Sequence, residues 1–205
     1  MKKALRFIAV WLVFTMEVKV HAEIRILHFS GPMDVTSQGK LISLDSKKKS
    51  FAEPFEAEIL GKGLLQVENG TWKLGLGSKS HLQVHADQHC DFFLGKLVIQ
   101  KSEGQDLFIH TKHGIVKVSE GEVILQSDEI KTQVSVISGK AIIIDRANQK
   151  ESVVNPGFLL GIGRLTSRGE REVTEPEAVP REEAMDDLRL LLTYSEEEIK
   201  TKSDN

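Results

Sequence analysis

LLQVENGTWKLGL, residues 64–76, reads as two short apolar-alternating runs around Asn69-Gly70. That dipeptide tolerates positive φ at both positions of a two-residue turn, so a β-hairpin is expected with Val67 facing Trp72 and Leu65 facing Leu74. All four apolar side chains then fall on one face, and a slip of one residue would scatter them.

The same alternation runs outward in both directions. From Glu23 to about Gly163 short apolar runs are separated by Gly, Ser, Asp, Asn and Lys, and none keeps helical spacing over a dozen residues. Downstream of the hairpin they fall at 97–99, 107–109, 115–118, 123–125, 134–137, 141–144 and 158–162. Glycines announce several of them, at Gly95, Gly114, Gly121, Gly139 and Gly157, as Gly70 marks the hairpin. With Gly121 set aside, their spacings are 19, 25 and 18 residues, a loose repeat. Only glycine turns a sharp corner at positive φ without strain. The expected fold class is therefore all-β: short strands stacked over an aliphatic core, as a β-solenoid or a two-sheet sandwich.

After Gly163 the composition changes. Residues 164–180 hold few large apolar side chains and two prolines, Pro176 and Pro180, and read as a flexible linker. Residues 181–200 read as a short amphipathic α-helix with Met185, Leu188, Leu192 and Ile199 along one stripe. Residues 201–205 read as a disordered tail. Residues 164–205 carry seven basic and twelve acidic side chains. Such a helix either docks on its own β-domain or engages another protein through that stripe.

At the other end, Lys2, Lys3 and Arg6 precede an apolar run from Leu5 to Met16, and Val20-His21-Ala22 suits a signal peptidase. Glu17 and Lys19 interrupt the run before it reaches the roughly 20 residues a bilayer requires. Residues 1–22 are thus expected to be a signal peptide cleaved after Ala22, leaving a periplasmic or secreted protein. Cleavage removes four positive charges and one negative, moving the net charge from −3 to −6. An acidic surface repels phosphate backbones and argues against nucleic acid as a partner. With Cys90 as the single cysteine, no internal disulfide is possible and no lipid anchor is expected at the cut.

The richest candidate for chemistry is HLQVHADQHCD, residues 81–91, with His81, His85, His89, Cys90 and Asp91. These are zinc-ligand types, but Leu82 and Val84 alternate as in a strand, which puts His81 and His85 roughly 13 Å apart on one face. A polar strand face leading into a loop, with Cys90 buried, is the plainer expectation. Residues 75–80, GLGSKS, have the outline of a phosphate loop without the glycine before the lysine and without a following helix. His110 and His113 flank Thr111-Lys112, with no nucleophile elbow nearby. Lys47-Lys48-Lys49 reads as a loop. No catalytic constellation emerges, so the chain is expected to act by binding, with no cofactor.

The segments LGKLVIQ, LFIHTKHGIVKVSEGEVILQ, TQVSVISGKAIIID and VVNPGFLLGI, between Leu94 and Gly163, resemble the FecR-like periplasmic domain family, and GLLQVENGTWKLGLGSKSHLQV resembles its upstream segment. The resemblance spans about 120 residues, by pattern more than by identity, and is densest at 111–121 and 139–157. It implies an all-β extracytoplasmic module without catalytic residues, used in signal relay or in envelope proteins. Signalling members begin with a cytoplasmic segment that holds a sigma factor; here a signal sequence leads straight into the β-domain, so no direct anti-sigma role is expected. Ser119-Glu120 also stand where the family often has glycine and threonine.

Together these observations lead to an exported, non-catalytic module that binds a protein or glycan partner in the envelope, sensor-associated, with the C-terminal helix as a second contact. Two other readings remain open. One is a metal-binding protein or metal-dependent enzyme using His81, His85 and His89. The other is a structural component that self-assembles through strand edges.

Overall fold

The computed structural model describes residues 23–44, 50–52, 54–85, 88–167 and 171–179, together with 182, 184, 187 and 188. Among the described residues sixteen strands join in one open hydrogen-bonded network. In chain order they are β1 (Glu23–Ser30), β2 (Met33–Ser37), β3 (Lys40–Ile42), β4 (Ser50–Ala52), β5 (Phe55–Ile59), β6 (Leu64–Glu68), β7 (Trp72–Leu76) and β8 (His81–His85). Then follow β9 (His89–Lys101), β10 (Leu107–His110), β11 (Ile115–Ser127), β12 (Thr132–Ile144), β13 (Glu151–Val154), β14 (Phe158–Leu165), β15 (Arg171–Val173) and β16 (Glu177–Ala178).

The hairpin forms with its faces as expected and its register moved by two. Leu65 faces Leu76 and Val67 faces Leu74, while the Asn69 amide donates to the Trp72 carbonyl at 3.2 Å. The turn residues are therefore Gly70 and Thr71. The Asn69 side-chain oxygen accepts from the Thr71 amide at 3.2 Å, an Asx turn that draws Asn69 out of the turn's centre. Since strand faces repeat every two residues, the shift leaves Leu65, Val67, Trp72 and Leu74 buried together.

Three thirteen-residue strands, β9, β11 and β12, fold the network into two layers. Residues 97–101 of β9 pair with β7 and residues 95–101 with residues 121–127 of β11; residues 89–94 pair with β8 and residues 89–91 with β10. In the same way β12 pairs with β14 through residues 132–136 and with β13 through 141–144. The first layer runs β4-β1-β6-β7-β9-β11-β12-β14-β15, with β16 on β14, and the second runs β3-β2-β5-β8-β9-β10-β11-β12-β13. Inward side chains of both layers, among them Leu74, Leu97 and Val123 of the first and Leu82, Ile109 and Val116 of the second, form one core. Among the described strands β9 and β10 make the one parallel pair. The stacked parallel rungs of a solenoid are thus absent there, and of the two expected architectures the folded two-layer sheet is present.

The expected flexible linker at 164–180 is corrected. β14 continues to Leu165, and β15 and β16 return to pair with it. Arg171 ties this return to the second layer: its Nη1 donates to the Gly163 carbonyl at 3.2 Å and its Nη2 to that of Lys112 at 3.3 Å. Its Nε lies 3.7 Å from Asp145 Oδ1, and Asp145 is only 3% exposed. These strands escape a reading of apolar alternation because Arg171-Glu172-Val173 offers only Val173 to the core.

Residues 1–22, the basic run at 47–49 and residues 201–205 lie outside the described residues. No helix among the described residues is long and apolar enough to cross a membrane.

Candidate functional site

Strand parity sorts the histidine-rich segment into two sides. On β8, Leu82 and Val84 point into the core while His81, Gln83 and His85 point outward. On β9, Cys90 and Phe92 are buried and His89 and Asp91 face out; on β10, Leu107 and Ile109 are buried and Phe108 and His110 face out. The registers then set His85 opposite His89, Gln83 opposite Asp91, and His110 beside Asp91.

The outcome is a row of rings around one carboxylate. His85 Nε2 lies 2.7 Å from Asp91 Oδ2, and His110 Nδ1 lies 3.5 Å from Asp91 Oδ1. The His89 ring stacks on Phe108 at 5.3 Å between centroids and meets His110 edge-on at 5.7 Å. Lys117 Nζ sits 6.0 Å from the centre of the Phe108 ring and binds Asp106 at 2.8 Å. Burial lowers the His110 pKa from its ordinary value, with Arg146 acting in the same direction and Asp91 opposing.

His81 belongs to a different part of the face. Its Nε2 lies 2.8 Å from Glu56 Oε1 and its ring 4.4 Å from that of Phe93, which is 43% exposed. The trio His81, His85 and His89 is therefore not one site, since the strand holds His81 away from the other two. The residue missed was His110, brought in by the parallel pairing of β9 with β10; a cross-strand neighbour so distant in sequence leaves no local signal. As the side chains stand, no three His, Cys, Asp or Glu among the described residues converge on a metal position.

The glycines divide by role. Gly95, Gly121 and Gly139 lie inside strands, at the bends where β9, β11 and β12 pass from one layer to the other, with φ of 99°, 98° and 78°. They were expected just before strands; they are instead the creases of continuous ones. Gly70 and Gly157 occupy surface turns, and Gly114 sits between β10 and β11 with the Ile144 carbonyl 2.9 Å from where a Cβ would stand. The Ser78-Lys79 turn of GLGSKS leads into β8, a strand, and Ser78 Oγ accepts from the Gly63 amide at 3.2 Å.

Opposite the histidine face, the described helical residues of the C-terminal segment lie against the outer side of the first layer. Ala184 and Leu188, the latter 4% exposed, pack with Leu64, Val98 and Ile124, and Val179 and Ile137 flank them. Lys96 Nζ binds Asp187 at 2.7 Å beside this contact. Leu188 of the expected partner-contact stripe is thus spent on the chain's own sheet; Met185, Leu192 and Ile199 fall outside the described residues. Val98 and Ile124 are the outward members of runs buried on both faces, which explains their unbroken apolar sequence.

His113, although only three residues from His110, faces the interior. Its Nδ1 lies 3.1 Å from Thr132 Oγ1, which in turn contacts Ser127 Oγ at 3.0 Å and Thr111 Oγ1 at 3.1 Å. Thr111 Oγ1 also donates to the Gly114 carbonyl, closing the β10–β11 turn.

No protein-family model matches the chain, and no curated protein does. Among solved structures, two crystal structures of a "putative anti-sigma factor" from Parabacteroides distasonis share the fold, each with a TM-score of 0.53, at 13% and 12% identity. Each likeness covers 65% of this chain and 64% of the other. The chain thus matches less than two thirds of those relatives' length.

Proposed function

We propose that the chain is an exported, non-catalytic binding module of the bacterial envelope, associated with a sensing or signal-relay system. The observation that carries this reading is the fold shared with the two anti-sigma-factor structures. The family resemblance between Leu94 and Gly163 points the same way. Export rests on the character of residues 1–22 and binding on two surfaces: the histidine face of the second layer, and the helix on the first. A protein or glycan partner suits a surface that mixes rings with carboxylates and amides. Nucleic acid does not suit an acidic mature chain.

Self-assembly through strand edges has weaker support. The rim strands β3, β4, β13, β15 and β16 are two to four residues long and offer a partner strand little ladder.

The test combines location and contact. Fractionation with mass analysis of the N-terminus is expected to find the chain outside the cytoplasm beginning at Glu23. A photo-reactive residue at Phe93 is expected to cross-link one envelope component that the same residue at Lys150 does not. A cytoplasmic chain with an intact N-terminus overturns export, and identical cross-links from both positions overturn a specific contact at this face.

A further inference from the structure

The second layer ends on β13, which among the described residues pairs with β12 and with no other strand. Its far edge therefore carries backbone amides and carbonyls that a further strand could take up. Two cavities, of about 240 and 250 Å³, lie along this rim between β13 and the first layer. The first is polar: Asn148, Lys150 and Ser152 line it from the second layer and Arg171 from β15. The second is apolar, formed by Val153, Val154, Phe158, Leu160 and Pro176. Val153 and Phe158 are 49% and 40% exposed, so this apolar lining is open to solvent.

We propose that this rim docks an extended peptide segment of another protein as an added strand along β13, with an acidic side chain in the polar cavity and, two residues away, a large apolar side chain in the other. In this mode of recognition main-chain bonds to a free edge supply affinity, and pockets for alternate side chains supply specificity. The spacing comes from β13 itself. Ser152 lines one cavity and Val154 the other, and residues two apart on a strand share a face about 7 Å apart. A strand laid beside β13 repeats that period, so its residues i and i+2 reach the two cavities. Both cavities fall below the roughly 300–1,000 Å³ of small-molecule sites, a size for single side chains. Charge selects the acidic residue: Lys150 and Arg171 outnumber Asp145 in the polar cavity, and Lys150 has no ion-pair partner among the described residues. Four residues of ladder hold a partner strand weakly by themselves, and burial of the apolar side chain adds what the ladder lacks. The site depends on neither export nor the histidine face.

Binding of the full chain to an array of end-capped synthetic peptides, Thr-X-Thr-Z-Thr with every residue at X and at Z, is the test. The strongest binders are expected to carry Asp or Glu at one variable position and Leu, Ile, Met or Phe at the other. Phe158→Ala is expected to weaken the best peptide about tenfold or more, and Lys150→Ala to abolish the preference for the acid while keeping that for the apolar residue. In the unaltered protein, amide exchange at residues 151–154 is expected to slow when the best peptide binds, with β4 unchanged. An array without the paired preference, or protection gained at another strand edge instead, overturns the proposal. Concentration-dependent dimers that shield β13 from the peptide overturn it in favour of a second copy of this chain. Cross-linking from Phe93 is read independently, so failure here and failure at the histidine face are distinguishable.

Discussion

Gly121 and Gly139 face each other across the crease between the two layers, and a Cβ on either one would lie 2.7 Å from the other's Cα. Each such Cβ would also come within 2.2 Å of a carbonyl oxygen, that of Ser138 at 2.1 Å or that of Glu120 at 2.2 Å. Both residues hold positive φ, so at this corner steric room and backbone conformation demand glycine together.

Gly121→Ala and Gly139→Ala are each expected to destabilise the fold by about 2–3 kcal/mol, since strain in a left-handed conformation adds to a clash with backbone that cannot swing aside. Gly70→Ala has the same sign of φ but nothing within 4 Å, and is expected to cost about 1 kcal/mol. Urea denaturation of the three variants measures the difference, which isolates the clash.

Arg171→Ala leaves Asp145 buried beside an empty space, and such a loss costs about 3 kcal/mol or more. Asp145 keeps the bond it accepts from the Ala147 amide, so Asp145→Asn combined with Arg171→Ala is expected to be less destabilised than Arg171→Ala alone. A double-mutant cycle by thermal unfolding reads the coupling.

Leu188→Ala uncovers Val98 and Ile124 and is expected to free the helix before the sheets. Faster amide exchange around residues 182–188, with β11 and β12 still protected, is the outcome that checks it. Lys96→Ala removes a half-exposed ion pair and is expected to cost under about 1 kcal/mol.

Burial lowers the pKa of His113, which is 1% exposed. Between its ordinary value of 6.5 and the lowered folded value, the unfolded chain binds the proton and the folded chain does not. Stability therefore rises with pH through that window and is lost as pH falls below about 6.5. Asp106 and Asp128, held below their ordinary value by Lys117 and by the Lys131 and Ile130 amides, remove further stability only at lower pH. In His113→Gln the loss between neutral pH and about pH 5 is expected to shrink, as read by denaturation at a series of pH values.

Alternation made the strands legible, since each aliphatic run downstream of Leu94 lies in a strand, and the hairpin's faces survived an error of two residues in register. What escaped were features set by tertiary distance. A glycine before an apolar run looks the same whether a strand begins there or bends there, so Gly95, Gly121 and Gly139 read as starts. β15 and β16 bury almost nothing and leave no alternation to detect. His81 and His85 share a face, as strand geometry dictates, but the partners that matter to His85, Asp91 across the hairpin and His110 beyond it, are chosen by the fold. The aliphatic core, the polar face of β8 and the burial of Cys90 were legible from local chemistry, and the cross-strand partners on that face were not.

Because β9 runs unbroken through the crease, Asp91 and Lys96 sit on the same length of backbone, one under the ring-lined surface and the other under the helix. The ring-lined surface and the seat of Asp187 are thus carried by one short stretch of a single strand, with the positive-φ Gly95 between them.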